Sequence, residues 1–366
     1  MEYNIVPTDA NIDIHNHTRG SDGRQRSMRM LLRAAKTRKN IVSITDHNSV
    51  DGYKNLEDDL YSIVEVVKKD ESYDPSHIID VLETVKLLTG TELITSYQGV
   101  IVEVLGYGID IDIMREEIRR LQATVTKKPY EVLYSEFKKL IKEKNLVFDE
   151  SVLDAAYQKI KLEGKGGVVG PFYQELASHP ENDRFLEYEE NGAIKRADNL
   201  KLYINKHLYN KDSELFVDMT DSRPTFQDTI DAIHRAGGKA FLAHPGRYMD
   251  KFNVINYLDE MIDCNLDGIE VFYPDHSYEF SKTLFEKVRQ HAILASGGSD
   301  DHHSDVEGIQ YNTGRVSVPQ VAQTEWIMNS VQDGGYLKQN NILRKYIDEL
   351  KAIRSRRISR KEEEGR

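Results

Sequence analysis

Cysteine is almost absent from this 366-residue chain, Cys264 being the only one. That excludes internal disulfides and any thiolate-rich zinc site, and it fits a reducing compartment, so a cytoplasmic location is expected. Long apolar runs are missing too: nothing approaches the roughly 20 residues that span a bilayer, and no membrane partner is expected. The opening residues MEYNIVPTDANIDIHNH lack a basic stretch followed by an apolar one and do not read as a signal peptide. Cations are outnumbered, 49 Lys plus Arg against 61 Asp plus Glu, for a net charge of −12. Long nucleic acid needs clustered cations to neutralise its phosphates, so a stable complex with it is not expected. A cationic pocket inside an acidic protein is still compatible with this balance. Internal repeats and low-complexity segments are absent.

Short β-branched runs are present, and polar residues gather at their ends. Ile12 to Ile14 runs into His15-Asn16-His17, and Ile41 to Thr45 into Asp46-His47. Thr91 to Thr95 carries Glu92, Val100 to Leu105 carries Glu103, and Lys239 to Ala243 runs into His244. Gly268 to Phe272 leads to Tyr273-Pro274-Asp275-His276, and Ile293 to Ser296 opens into Gly297-Gly298-Ser299-Asp300-Asp301-His302. Helical patterns lie between several of these seven runs. One follows Ser27, read as an N-cap; another follows Thr225 and stops at Gly237-Gly238. Strand and helix alternating at these intervals predict parallel β/α units, with chemistry at the strand C-termini as in a β/α barrel. The run at 99–105 follows the Glu92 run so closely that the two form a hairpin or local irregularity. Residues 112–220 break the pattern and read as an inserted helical subdomain, with Gly164 to Gly170 a flexible joint. The barrel is then assigned to 1–111 and 221–318, and C-terminal helices with a solvated charged tail to 319–366.

Strand side chains alternate, so both imidazoles of His-x-His point the same way, a natural clamp for a cation. Such a pair alone is weak, and so is Asp46-His47; their coincidence with successive strand ends is what carries weight. His77, His179, His207, His234 and His291 fall on helices or loops and read as surface residues. Cys264 reads as a small buried hydrophobe. Asp301 and His303 compete with Asp300 and His302, since a one-residue slip would turn either pair away; Asp300/His302 is preferred. Asp46 is either a ligand or a carboxylate that orients one, and the orienting role is preferred.

The fragments DIHNHTRGSDG, ITDHNSVDG, GTELIT, VLGYGID, AHPGRY and GGSDDHH resemble, in order, the motifs of the PHP (polymerase and histidinol phosphatase) family. The stretch PTFQDTIDAIHRAGGKAFLAHPGRY and the position of the insert are most similar to a bacterial branch of nucleoside 3′,5′-bisphosphate phosphatases and RNA 5′-end exonucleases. The resemblance implies a distorted (β/α)7 TIM-like barrel with an inserted helical subdomain, holding up to three divalent metals. It implies His15, His17, Glu92 and Asp300 around a first ion, and Asp22, His47 and His302 around a third. Glu92 and His244 would hold a second, with Glu103 standing where the family has histidine. A carboxylate there adds negative charge and favours harder ions, so Mn or Fe is expected over Zn at that position.

The resemblance implies a metal-dependent phosphoesterase acting on a small phosphorylated substrate, a nucleotide or a short oligonucleotide end. Clustered divalent ions suit that chemistry, because they lower the pKa of water from about 16 towards neutrality and offset phosphoryl charge. Arg19 and Arg247, close after His17 and His244, are candidates to grip phosphate, and His276 to protonate the leaving oxygen. An amidohydrolase with the same His-x-His opening is the competing enzyme class. It is disfavoured because no lysine stands at a motif strand end, where Glu92 offers the bridge instead. A non-catalytic metal-binding module is the third reading, supported only by Glu103.

Overall fold

The computed structural model describes residues 12–38, 41–249, 251–302, 326 and 335–364. A seven-stranded sheet forms the core, in the order β1 (Ile12–Asp13), β2 (Ile41–Ile44), β3 (Lys86–Tyr97), β4 (Val100–Tyr107), β7 (Lys239–Leu242), β8 (Gly268–Phe272) and β9 (Leu294–Gly297). Neighbours pair in parallel except across β4, which is antiparallel to both β3 and β7. Every residue of β2 and β8 is buried, as expected when helices cover the outer face of a parallel sheet. β3 does two jobs: its first residues pair with β2, and from Gly90 onward it forms a hairpin with β4. The connecting residues Gln98 and Gly99 both have positive φ (48° and 85°), the backbone that a tight two-residue hairpin requires.

The sheet closes on itself beyond its last strands. Ile14 N–H donates to Gly297 O at 3.4 Å, Asp300 N–H to His15 O at 2.9 Å and His17 N–H to Asp301 O at 3.0 Å. The result is a nearly closed seven-stranded barrel wrapped by helices, the distorted TIM-like form expected. Outside it pack α1 (Ser27–Lys36), α2 (Asp51–Lys69), α3 (Ser76–Thr84) and α4 (Ile111–Thr124). The segment between β4 and β7 has its own apolar core, from Val132 to Met219, built on α5 (Pro129–Glu143), α6 (Glu150–Glu163) and α7 (Val169–Ser178). Helix α4 contributes Met114, Ile118 and Leu121 to the barrel core, so the second core begins at α5 rather than at residue 112. That segment also holds a small hairpin, β5 (Glu187–Glu190) with β6 (Ala193–Arg196), and the short helix α8 (Leu200–Tyr203). After the segment come α9 (Phe226–Arg235), α10 (Val254–Asp263), α11 (Tyr278–Gln290) and the long α12 (Gly335–Glu364). Arg357 of α12 caps the end of α2, donating to the carbonyls of Asp70 (2.9 Å), Tyr73 (2.8 Å) and Val67.

Three local expectations are corrected. Ser27 is the first residue of α1 rather than its cap, because its hydroxyl is committed to Gly52 O at 2.7 Å. His207 is buried in the second core, not on the surface, with Nδ1 3.2 Å from Ser213 Oγ. Cys264 follows α10 at the core margin and is only partly buried. His303 lies outside the described residues. No helix among the described residues is long and apolar enough to cross a membrane.

Candidate metal centre

Six strands, β1, β2, β3, β4, β7 and β9, bring imidazole or carboxylate together in one region. His15 and His17 follow β1 in alternation, and their Nε2 atoms come within 3.2 Å of each other. Glu92 rises from β3 between them, with Oε2 3.3 Å from His15 Nε2, 3.2 Å from His17 Nε2 and 3.0 Å from His47 Nδ1. Its other oxygen, Oε1, lies 3.0 Å from His244 Nε2. Asp300 closes the group, with Oδ1 3.4 Å from His15 Nε2, 3.1 Å from His17 Nε2 and 3.2 Å from His302 Nδ1. On the outer side His47 Nε2 and His302 Nε2 approach to 3.4 Å, and Asp22 Oδ2 lies 3.4 Å from His302 Nε2 and 3.9 Å from His47 Nε2. On the far side Glu103 Oε2 is 3.3 Å from His244 Nε2. All nine expected ligands are thus contiguous.

Backbone conformation helps to aim them. His244 (φ 24°) and Asp300 (φ 53°) occupy the left-handed region, which a non-glycine residue adopts only when its surroundings hold it there. Gly298 lets the chain pass His15: a Cβ there would lie 2.2 Å from that of His15.

Several of these atoms suit a bound cation. Glu92 Oε2, Asp300 Oδ1 and the Nδ1 atoms of His17, His47 and His244 are buried without a hydrogen-bond partner. Buried polar atoms are rarely left so, and lone pairs converging on a point are what a divalent ion needs. Among the described residues, sets with mutually close ligand atoms are His15/His17/Glu92/Asp300, His17/Asp22/His47/His302 and His47/Glu92/Glu103. The sets overlap, yet a neutral imidazole has one lone pair to give. His17 and His47 can therefore each serve only one ion.

Without ions the charges balance by proton uptake. Burial opposes charge on His15, but Glu270, Glu92 and Asp300 together hold its pKa well above the usual 6.5. Burial likewise opposes charge on His17, and the adjacent carboxylates of Asp300 and Glu92 raise it to about 9. Glu92 and Asp300 stay ionised despite burial, because His15 and the neighbouring imidazoles pull both pKa values down. His302 moves the other way, lowered by burial and by His17.

The remaining expected residues are placed as follows. Asp46 turns both oxygens to the loop that carries Asp22: Oδ1 accepts from Thr18 N–H (2.6 Å) and Ser21 Oγ (3.0 Å), and Oδ2 from Thr18 Oγ1 (2.7 Å). Asp301 faces away and pairs with Arg33 at 3.0 Å, so Asp300 and His302 are the pair in the centre. Arg247 donates to Asp300 Oδ2 at 2.8 Å with its side chain about half exposed. Arg19 is exposed, its Nε donating to Arg24 O at 3.0 Å. His276 is not brought into the cluster. Its Nδ1–H donates to Val271 O at 2.9 Å and its Nε2 accepts from Gly246 N–H at 3.0 Å, which commits both nitrogens to backbone.

The chain is similar to known proteins over most of its length. The chain is 26% identical over 303 residues to the 5'-3' exoribonuclease Rnm of Salmonella typhimurium, covering 79% of this chain and 84% of that protein. It is 24% identical over 310 residues to the 3',5'-nucleoside bisphosphate phosphatase of Chromobacterium violaceum, covering 80% and 87%. A solved structure from Bifidobacterium adolescentis, assigned to the metal-dependent phosphoesterases, shares the fold at a TM-score of 0.51 and 20% identity, over 88% of this chain and 97% of that one. No family model matches the chain. The chain is thus similar to phosphoesterases over most of its length.

Two residues of this centre escaped the sequence reading. Glu270, wholly buried in β8, bonds His15 Nδ1 at 3.0 and 3.2 Å and accepts from His244 N–H at 2.8 Å. A carboxylate can only accept, so the contact places a proton on Nδ1 and turns His15 Nε2 towards the cluster. The available signal was an acid in the middle of the apolar run Gly-Ile-Glu-Val-Phe. Tyr273 donates its hydroxyl to Asp300 Oδ2 at 3.0 Å, and followed the same run by one residue.

Proposed function

We propose that the centre holds up to three divalent ions and hydrolyses a phosphate ester of a nucleotide or of a short oligonucleotide end. The observation that carries the reading is Glu92, one buried carboxylate facing His15, His17 and His47 with one oxygen and His244 with the other. A carboxylate so placed could serve more than one cation. His15, His17, Glu92 and Asp300 would hold the first ion. Asp22, His47 and His302 would hold the third, and Glu92, Glu103 and His244 the second. Two oxygens from carboxylates at that second position favour Mn or Fe over Zn. When bound, such ions acidify water and offset the charge of the phosphoryl oxygens, the two requirements of phosphate-ester hydrolysis.

The chain's own residues do the rest. Glu270 fixes the His15 tautomer, and Arg247 with Tyr273 anchors Asp300 through its outer oxygen. Arg247, half exposed at the rim, has further guanidinium N–H groups to grip a phosphoryl oxygen, and Arg19 stands on the loop opposite. The names of the relatives, an RNA exonuclease and a nucleoside bisphosphate phosphatase, support nucleotide substrates.

The test is turnover by the purified chain, with Mn added, on nucleoside mono- and bisphosphates, sugar phosphates, 5′-phosphorylated RNA, an aryl phosphate and an aryl amide. Nucleotide hydrolysis abolished by chelator and by Asp300→Asn is expected. Amide hydrolysis with no phosphate release would overturn it.

A further inference from the structure

The inserted segment carries a row of tyrosine rings on one pair of helices. Tyr130 and Tyr134 lie about one turn apart on α5, and Tyr157 reaches them from α6. The Tyr134 and Tyr157 rings stack with centroids 4.0 Å apart, and Tyr130 meets Tyr157 at 5.9 Å. All three are partly buried, packed on one side against the segment's own core. Each ring has an ammonium beside it: Lys128 at 6.0 Å from Tyr130, Lys138 at 5.6 Å from Tyr134 and Lys161 at 5.4 Å from Tyr157. Lys138 is committed to Glu150 at 2.7 Å and to Asp154 at 2.5 Å. Lys128 and Lys161 are exposed, and among the described residues no carboxylate pairs with either. Lysines outnumber acids nine to seven between residues 127 and 165, so this stretch is basic in a chain whose net charge is −12.

The row is continuous with the metal centre. A cavity of about 470 Å³ runs from Asn48 over Ile94 and Ile118 to Lys127 and Lys128, just before α5. Asn48 follows His47, and its N–H donates to Glu92 O at 2.7 Å, so the inner end of the cavity adjoins the centre. Lys128 lines the outer end and also stands beside the Tyr130 ring, which joins the cavity to the row. From Tyr130 to Lys138 helix α5 advances about 12 Å, room for about three stacked nucleotides at ~3.4 Å each. A cation over an exposed ring is worth about 2–5-fold in an equilibrium, and a base stacked on a ring about 5–150-fold. A base therefore displaces the lysine from the ring, and the ammonium turns to the neighbouring phosphate.

We propose that the face of α5 and α6 bearing Tyr130, Tyr134 and Tyr157, with Lys128 and Lys161, is a track for single-stranded nucleic acid. It stacks about three nucleotides of a strand whose end lies at the metal centre. A strand, rather than a lone nucleotide, is then the preferred ligand. This rests on the phosphoesterase reading above but fails separately from it.

The test uses the metal-loaded full-length protein and labelled oligoadenylates of two and six nucleotides, made with phosphorothioate linkages and a terminal phosphonate that resist hydrolysis. Fluorescence anisotropy on wild type should show the hexanucleotide bound at least about tenfold more tightly than the dinucleotide. Tyr130→Leu and Tyr157→Leu keep apolar bulk but remove the ring. Each should weaken the hexanucleotide about fivefold or more and the dinucleotide less than about twofold, and Tyr130→Phe should restore wild-type binding. Lys128→Gln and Lys161→Gln should each lower the slope of log affinity against log salt by about 0.7 for the hexanucleotide. Neither a ring nor an ammonium reads a 2′-hydroxyl, so the length preference should hold for ribose and deoxyribose strands alike; a preference confined to one sugar would overturn the proposal. So would equal binding of dinucleotide and hexanucleotide by wild type, or equal losses on both in the tyrosine variants, which would mark a packing role. An abasic strand of six units or hexaglutamate binding as tightly would also overturn it, because charge alone would then suffice. A length preference without phosphate release from any ester would refute the phosphoesterase reading and leave the track standing.

Discussion

Glu270→Gln is the sharpest single perturbation of the centre, because it removes a charge and one acceptor without changing shape. In the native arrangement the two carboxylate oxygens serve His15 Nδ1, at 3.0 and 3.2 Å, and His244 N–H, at 2.8 Å. Glutamine offers one acceptor oxygen, and its amide N–H₂ must then face one of those two donors. If the oxygen keeps His244 N–H, His15 turns Nδ1 into an acceptor and presents a protonated Nε2 to the ion. If it keeps His15, a buried backbone N–H loses its partner, at ~1–3 kcal/mol. Partners that orient a ligating histidine contribute about 10–100-fold to metal affinity, which is ~1.4–2.8 kcal/mol. The two estimates agree, so the variant should bind its tightest ion at least tenfold more weakly while remaining folded. Metal competition against a calibrated chelator, with a melting curve on the same sample, measures both quantities. Unchanged affinity would refute the claim that Glu270 sets the His15 tautomer. A loss of folding with no change in affinity per folded molecule would reduce Glu270 to a packing residue.

Four further outcomes follow from the geometry. Protonated His17 stabilises the metal-free protein: with a folded pKa of about 9 against 6.5, this contribution is complete below pH 6.5 and is lost as pH rises through 9. An ion needs the same lone pair, so metal loading at pH 7 should release protons and tighten towards pH 9; pH-independent affinity in calorimetry across several buffers would contradict this. Arg33→Ala should cost up to about 3 kcal/mol of stability by removing one partner of buried Asp301, without reducing metal content, whereas Asp300→Asn should empty the first site; melting and metal analysis on both separate the roles. Asp22, whose side chain is 58% exposed, should matter less than Asp300, so Asp22→Asn is expected to lower occupancy of one ion only. Glu103→His should shift retained metal from Mn or Fe towards Zn, and an unchanged metal ratio on purification would argue against the hardness assignment.

The candidate ligands were legible because strand periodicity and chain order constrain them together. His15 and His17 share a face by alternation, Glu92 sits within a run that had to be a strand, and His244 and Asp300 follow the ends of two others. The hairpin of β3 and β4 was visible in the short Gln98-Gly99 spacing. What the sequence hid depends on distance. Glu270 approaches His15 across 255 positions of chain, so no local pattern links them. His276 stood at a strand end like the ligands, but backbone groups at Val271 and Gly246 claim both its nitrogens. The extent of the inserted segment was misjudged because α4 looks as polar as α5; only packing reveals that its apolar stripe faces the barrel. The Asp300/Asp301 ambiguity was one of register, and Arg33 resolves it by taking Asp301.

The barrel's closing seam has a consequence for how the molecule is assembled. The first strand and the last meet through His15 O, His17 N–H, Asp300 N–H and Asp301 O, and the side chains of His15, His17 and Asp300 at that junction belong to one candidate metal set. A ribosome must deliver about 300 residues before the clasp can be fastened, so the early strands wait with an unzipped edge. An ion captured there would act as the rivet of the ring, and chelation should loosen the join between the two ends of the barrel before it disturbs the strands opposite. Hydrogen exchange on the metal-free protein should then show the amides of His17 and Asp300 opening first.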